Sequence, residues 1–553
     1  MQTVNDRPRA AYLLLALVFA LSVLSGCGAP GGTEPTVQPE RTDEAAPDTA
    51  RFLVAVEDEP DTVDFQCTSI FYTVATNVFN RLVEMERRDD GSVELVPSLA
   101  KSWEVSDDGC RYTFHLRENV RFSNGSALTS SDVLYSFTRL LTHPDSCNRD
   151  IVDDIAGAAA LENGTADHLE GFEITGELDF VITLTQPFEA FLACLSMPGA
   201  SILDAETTTE AGDRFGKDPD WTVGTGSFVL RSWEKGVGML LTANPDCWEG
   251  PPACEGLDWR FMTEPEEIRQ LFESGGLDLL DLDHLNSSAE FFLHGDIYRA
   301  RLTQVQRIAI TYIALNESVP PLNDVRVRRA LQLALNRTTL LDAVYGGRGT
   351  LENGIFPHGL YGFNADLPEL PFDPDAAKAL LDEAGYPDGF DLPISVKSSS
   401  SQAELTLMSL CASMWQRLGI RATVRVLEES EFMALRKSGG LACYTAMWTA
   451  DFNDPDNFIY TFFGTRENTV FRSLCYSDEG VMRRVRAARA IVDPAARLRE
   501  YQELERIIVQ EDAAWIPLFS RLHYYVTGER VEGIRTSWNG SVKNNYRYMS
   551  IRE

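Results

Sequence analysis

The sequence predicts a multidomain protein of mixed α/β class. Its 553 residues are 44% hydrophobic and 24% charged, a balance that supports a buried core. Short period-two runs bounded by turn residues alternate with amphipathic stretches at helical spacing. No fixed-period repeat occurs, which excludes a solenoid. At this length three or four domains are expected. The net charge of -34 excludes nucleic acid as a partner, because the chain would repel a phosphate backbone rather than release its counterions. It equally disfavours a polybasic contact with a membrane surface; the remaining acidic residues are spread along the chain as solvated surface.

The first segment sets the compartment. Arg7 and Arg9 precede an apolar run from Ala10 to Leu24, interrupted only by Ser22. The run is about 15 residues, short of the roughly 20 that a spanning helix needs, so it reads as the core of a signal peptide. It ends in Leu24-Ser25-Gly26-Cys27, which looks like a lipoprotein signal box. That resemblance implies removal of residues 1–26, lipid on the Cys27 thiol, and a protein anchored to the cell membrane at its extracellular face. Residues 27–50 are rich in Gly, Pro, Thr and acidic residues and nearly empty of large apolar ones. They cannot offset their ordering entropy and are expected to form a disordered tether.

The ordered body begins with a strand at Arg51–Val56. Tyr112, Phe114 and Leu116 alternate with polar neighbours, the pattern of a half-buried strand. Ser123-Asn124-Gly125 marks a turn. Thr129 and Asp132 have the spacing of a capping box ahead of Val133, Leu134, Phe137, Leu140 and Leu141. Val181–Thr185 reads as a strand before a turn at Gln186-Pro187. Phe228 to Leu241 reads as a hairpin turning at Lys235-Gly236. Asn323-Asp324 opens a helix carrying Val327, Ala330, Leu331, Ala334 and Leu335. Asp373 and Pro374 supply the N-cap and first turn of another helix, which Gly385 ends. Arg497 to Val509 is amphipathic.

Several chemistries lack their residues. No Cys-x-x-Cys or Cys/His array supports structural zinc. No His-Glu-x-x-His supports a metalloprotease. No Gly-x-Ser-x-Gly elbow occurs, nor a phosphate loop ending in Lys-Ser/Thr. Asp451-x-Asn453 with Asp456 is not a calcium loop, since Pro455 holds the fifth place and no Gly the sixth. No cofactor is expected. Nine cysteines follow Cys27; Cys247 and Cys254 bracket a short loop and could close locally, but the pairing is not deducible from sequence.

Four blocks resemble a known family. They are Pro97–Gly109 with Tyr112–Phe122; Gly224-Thr225-Gly226 with Asn244-Pro245 and Trp248; Tyr312–Asn316 with Asn323–Ala330; and Trp448–Asn457. In this order they are similar to the extracellular solute-binding proteins of family 5, the oligopeptide-, dipeptide- and nickel-binding components of ABC importers. The resemblance implies a type II periplasmic-binding-protein-like α/β fold, with two lobes hinged about a ligand and an extra inserted domain. The expected segments are 51–92, 222–310 and 528–553 for the first lobe, 93–221 for the inserted domain and 311–527 for the second lobe. It further implies an ABC permease and ATPase as partners, with the receptor expected to act as a monomer.

The resemblance also nominates binding residues. In peptide-binding relatives the aspartate of Trp448-x-x-Asp451-x-x-x-Pro455 meets the peptide α-ammonium. A carboxylate in a closed cleft forms a short charge-assisted bond to such a cation. Trp448 and Thr449 would flank it. The loop Cys67-Thr68-Ser69 would offer backbone groups to the ligand, whereas Asp454 beside Pro455 reads as a turn former and His358 as a loop residue that borders the cleft at most. The expected function is peptide capture without chemistry. Alternatives are a metal chelate such as nickel, an oligosaccharide or a signalling peptide as ligand, and, in another class, an extracellular hydrolase using paired carboxylates.

Overall fold

A 13-residue strand, Trp515–Thr527, organises the molecule. The computed structural model describes residues 50–552 apart from 57–58, 69–71, 89, 284, 286–288 and 542–545. The leader, the tether and Cys27 therefore fall outside the described residues, as does Ser69. The long strand sits within a 12-stranded sheet. On one side follow Ala309–Leu315, Cys443–Thr449, Asp391–Lys397 and Arg421–Leu427; on the other Leu279–Asp281, Arg51–Val56, Gly256–Phe261, Gly238–Ala243 and Phe228–Glu234. Leu302–Gln306 and Gly349–Leu351 also pair with the long strand.

The register shows why one strand serves both halves. Trp515, Ile516, Pro517 and Phe519 pair with the Ala309–Leu315 strand. Leu522 to Val526 pair with Leu302–Gln306 instead. The chain thus passes from one half of the sheet to the other twice, near Arg307-Ile308 and near Ser520-Arg521. Ala309–Leu315 is buried at every position, so helices cover both its faces and its sequence is a nearly unbroken apolar run.

A separate four-stranded antiparallel sheet contains Ala100–Val105, Arg111–Leu116, Asp179–Thr183 and Phe172–Ile174. Its core stacks Phe180 between Phe114 and Phe172, at 5.2 and 4.9 Å between ring centroids. Helix Ser130–Thr142 packs on it behind the expected capping box, with the Thr129 N–H donating to Asp132 Oδ2 at 2.9 Å. Arg489, ending helix Glu479–Arg489, joins this sheet's segment to the rest: it donates to Asp154 at 3.1 Å and Asp456 at 3.2 Å. Its guanidinium lies 4.1 Å from the ring centroids of both Phe188 and Tyr460.

Most local readings match the elements. The hairpin is Phe228–Glu234 paired with Gly238–Ala243, its turn carried by Gly236 at φ 73°. Asp324 caps Val325–Leu333, and Asp373 caps Pro374–Glu383 by accepting from the Ala376 N–H. Two readings differ. The strand expected at Val181–Thr185 runs Asp179–Thr183, two residues earlier, because Phe180 is needed in the aromatic stack. Cys247 and Cys254 do not close a loop: Cys254 is packed into an apolar cluster, and the Cys247 thiol faces the Ser227 hydroxyl at 3.9 Å. The nine described cysteines are all free thiols. Among the described residues no helix is long and apolar enough to cross a membrane.

Candidate functional site

Strand Cys443–Thr449 pairs antiparallel with Ala309–Leu315, Thr449 opposite Ala309. It therefore delivers the loop Ala450–Pro455 at the C-terminal end of an interior strand, just before helix Asp456–Phe463. Asn457, in the first turn of that helix, organises the loop. Its Oδ1 accepts the Asp451 N–H at 3.0 Å and the Trp448 indole N–H at 3.3 Å, while its Nδ2 donates to Asp451 Oδ2 at 3.2 Å. Asp451 is thereby oriented by a neutral amide and is left without a salt-bridge partner among the described residues.

Asp451, Thr449 and Ala450 line a cavity of about 650 Å³. Tyr72, Asn77 and Arg81 contribute another wall, the strand segment 84–88 a third, and Arg535 to Asn539 a fourth. The Asp451 carboxylate is exposed to the water of this cavity. Surrounding protein nevertheless strips enough hydration to raise its pKa to about 6; the Asn457 amide opposes the rise, Asp150 adds to it, and Arg472 opposes it. Its openness makes it reachable by a ligand, and its crowding makes an incoming cation welcome.

The same cavity carries cations. Arg81 is paired with Glu84, Arg88 with Glu86 and Glu94, and Arg547 with Glu249. Arg87 instead donates from Nε and Nη2 to the Trp538 carbonyl at 3.2 and 2.9 Å, and burial lowers its pKa. Arg535 lies over the Tyr548 ring at 4.5 Å. Neither Arg87 nor Arg535 has a carboxylate partner among the described residues. The cavity thus holds one carboxylate without a cation and two guanidiniums without an anion, the complement of a zwitterion.

The remaining nominated residues are placed as follows. Trp448 is half-buried behind the cavity wall, edge-on to Phe462 at 5.2 Å with Arg472 at 5.5 Å above its ring. Cys67 and Thr68 are likewise outside the cavity lining: the Cys67 thiol meets His143 Nδ1 at 3.3 Å, and the Thr68 carbonyl accepts from Tyr72 Oη at 2.9 Å and Asn148 Nδ2 at 2.8 Å. Thr68 therefore reaches the cavity through Tyr72. Asp454 is a buried structural residue, accepting from Arg497 at 2.6 and 2.8 Å. His358 borders a second cavity of about 160 Å³, its Nδ1 2.9 Å from the buried Glu352. Sequence reasoning missed Tyr72, Arg87 and Arg535, which come from segments far apart in the chain and carry no motif of their own.

Comparison with known proteins agrees with this architecture. The model of the family described as "Bacterial extracellular solute-binding proteins, family 5 Middle" matches residues 94–469. Di/tripeptide-binding protein 2 of Pseudomonas aeruginosa is 30% identical over 552 residues, covering 96% of this chain and 97% of its own. Heme-binding protein A of Haemophilus influenzae is 27% identical, covering 82% of this chain and 84% of its own. The crystal structure of a periplasmic oligopeptide-binding protein from Borrelia burgdorferi superposes with a TM-score of 0.76 at 24% identity, over 91% of this chain and 100% of that one. Such neighbours share the type II periplasmic-binding-protein fold, and the family binds solutes rather than transforming them. The chain belongs to the bacterial extracellular solute-binding proteins of family 5.

Proposed function

We propose that the protein is the receptor of an ABC importer that captures short peptides and passes them, unchanged, to a membrane permease. The observation that carries this reading is Asp451: a carboxylate on the cavity wall, fixed by Asn457 and in no salt bridge among the described residues. A peptide α-ammonium supplies the missing charge, and Arg87 or Arg535 can receive the carboxylate at the other end. The volume of about 650 Å³ suits a small solute. Among the described residues no histidine lines the cavity, which disfavours a metal chelate held by imidazole ligands. The di/tripeptide-binding relative supports the same ligand class.

In this reading the residues 51–92, 222–310 and 528–553 form one lobe, 93–221 an inserted domain and 311–527 the second lobe. The lobes close on the ligand about the two sheet crossings near Arg307 and Ser520. Lipid on Cys27 and the 27–50 tether hold the receptor as a monomer at the outer face of the cell membrane, within reach of the permease and its ATPase. Calorimetry with free and N-acetylated di- to tetrapeptides tests the ligand, and mass spectrometry of the same mixtures tests for chemistry. Free peptides should bind and be recovered intact. Equal affinity for acetylated peptides, or cleaved products, overturns the reading.

A further inference from the structure

Two of the nine free thiols are brought side by side by segments distant in sequence. The Cys147 N–H donates to the Gln66 carbonyl at 3.0 Å, and Asn148 Nδ2 donates to the carbonyls of Phe65 at 3.0 Å and Thr68 at 2.8 Å. Gln66 carries the peptide bond to Cys67, so standard backbone dimensions hold the Cα atoms of Cys67 and Cys147 within about 7 Å of each other. A disulfide spans about 4.4–6.8 Å between Cα atoms, so the backbone brings the pair close to bonding range. The two sulfurs also feel each other electrostatically: burial and the nearby Asp64 push the Cys67 thiol up to about 12, and Cys147 adds to the rise. Cys147 is exposed, while Cys67 is half-buried against His143 Nδ1 at 3.3 Å. Six other cysteines, at 194, 247, 254, 411, 443 and 475, are buried.

We propose that Cys67 and Cys147 are a redox pair that closes to a disulfide by exchange with an external disulfide, small or protein-borne. Cys147, the exposed thiol of the pair, loses its proton to solvent, against burial and the nearby Asp150 and Asp64 that raise its pKa, then attacks one sulfur of that disulfide and expels the other as a thiolate. Cys67 then attacks Cys147 in the mixed disulfide, giving up its proton to His143, and expels the second external sulfur. Two cysteine thiols are oxidised to one S–S bond, the external disulfide is reduced to two thiols, and the two protons pass to them. The extracellular setting of the family favours the oxidised form. The bond would clamp the junction that holds Tyr72, whose hydroxyl donates to the Thr68 carbonyl at 2.9 Å and Asn148 Oδ1 at 3.0 Å and whose ring lines the cavity. The pairing is independent of which solute fills that cavity.

The test is non-reducing peptide mapping of the purified protein after incubation with oxidised glutathione, with a dithiothreitol-treated sample alongside. The expected product is one cross-link joining the peptides of Cys67 and Cys147, lost on reduction, with a melting temperature several degrees above that of the reduced protein, since the bond closes a long loop of the unfolded chain. Cys147→Ser should abolish the cross-link and melt as the reduced wild type does, and Cys110→Ser should keep it. Full alkylation of both thiols after oxidation, glutathione retained on Cys147 without resolution, or a cross-link from either residue to a different cysteine would each overturn the proposal.

Discussion

Asp451 and Asp454 lie three residues apart in one loop and are held in opposite ways. Asp454 is buried and takes a two-pronged bond from Arg497, itself only 1% exposed. Asp451 is exposed, and among the described residues its carboxylate has no salt bridge and accepts from the neutral amide of Asn457. The fold satisfies one carboxylate completely and leaves its neighbour to be satisfied from outside. The sequence pattern separates them only as a family-pattern aspartate and a turn former beside Pro455; the presence of an internal cation shows the physical difference. A buried charge with a partner belongs to the architecture, and an oriented charge without one is the candidate for meeting a ligand, as proposed for Asp451.

The largest effect expected breaks the architectural side. Asp454→Ala leaves the Arg497 guanidinium buried and unpaired, which should destabilise the protein by about 4 kcal/mol. Thermal unfolding followed by circular dichroism would show it as a clear drop in melting temperature, with or without ligand. An unchanged melting temperature would mean that Arg497 finds another acceptor and that the contrast within the loop is false.

Asp451→Asn breaks the other side. It should weaken peptide binding by about 3 kcal/mol, as for truncating one partner of a charge pair, and raise the unliganded melting temperature slightly at pH 7, where the dehydrated carboxylate opposes folding. Calorimetry and thermal unfolding on one sample separate the two outcomes. A variant that binds normally moves the ammonium site elsewhere in the cavity.

The two carboxylates also make the limits of sequence reading concrete. Caps, turns and the Phe228–Ala243 hairpin were legible because their signals lie within a few residues. The sheet order was not, since Trp515–Thr527 pairs with strands more than 200 residues away and carries no local mark of its dual role. Asp451 was nominated by a family block, but nothing in that block says that Asp454 meets Arg497 or that Asp451 does not. Arg87 and Arg535 were invisible because what singles them out is the absence of a nearby carboxylate, a property of the fold. The loop at Cys67 is expected as a direct contact; Cys67 and Thr68 do not line the cavity, while Tyr72, which donates to the Thr68 carbonyl, does.

Acid should sharpen the comparison. Asp451 has a pKa of about 6, so binding of a cationic group, which needs the ionised form, should weaken roughly tenfold between pH 7 and pH 5. The effect on stability has the reverse sign. An unfolded aspartate titrates near 3.9, so between about 4 and 6 the unliganded native state binds the proton more tightly, and this group's contribution to stability rises as pH falls. Asp153, raised to about 7 by lost hydration and by Asp154 and Asp150, titrates in the same window. Asp451→Asn serves as the control: its residual pH dependence belongs to Asp153 and other buried carboxylates such as Glu505, raised to about 8, and only the difference from wild type belongs to Asp451.

The smallest effect concerns Trp448, which the family block places beside Asp451 and the structure places behind the cavity wall. Trp448→Phe keeps an aromatic ring against Phe462 and removes only the indole N–H bond to Asn457, a 3.3 Å contact. Asn457 Oδ1 still accepts the Asp451 N–H, so the carboxylate should stay aimed into the cavity. The expected cost is about 1 kcal/mol or less in stability, the worth of one neutral hydrogen bond, with peptide affinity within twofold of wild type by calorimetry. An affinity loss comparable to that of Asp451→Asn would show instead that closure turns the indole onto the ligand. The supporting wall and the recognising carboxylate would then be one unit, and the division within this loop would fall at Asn457 rather than at Asp451.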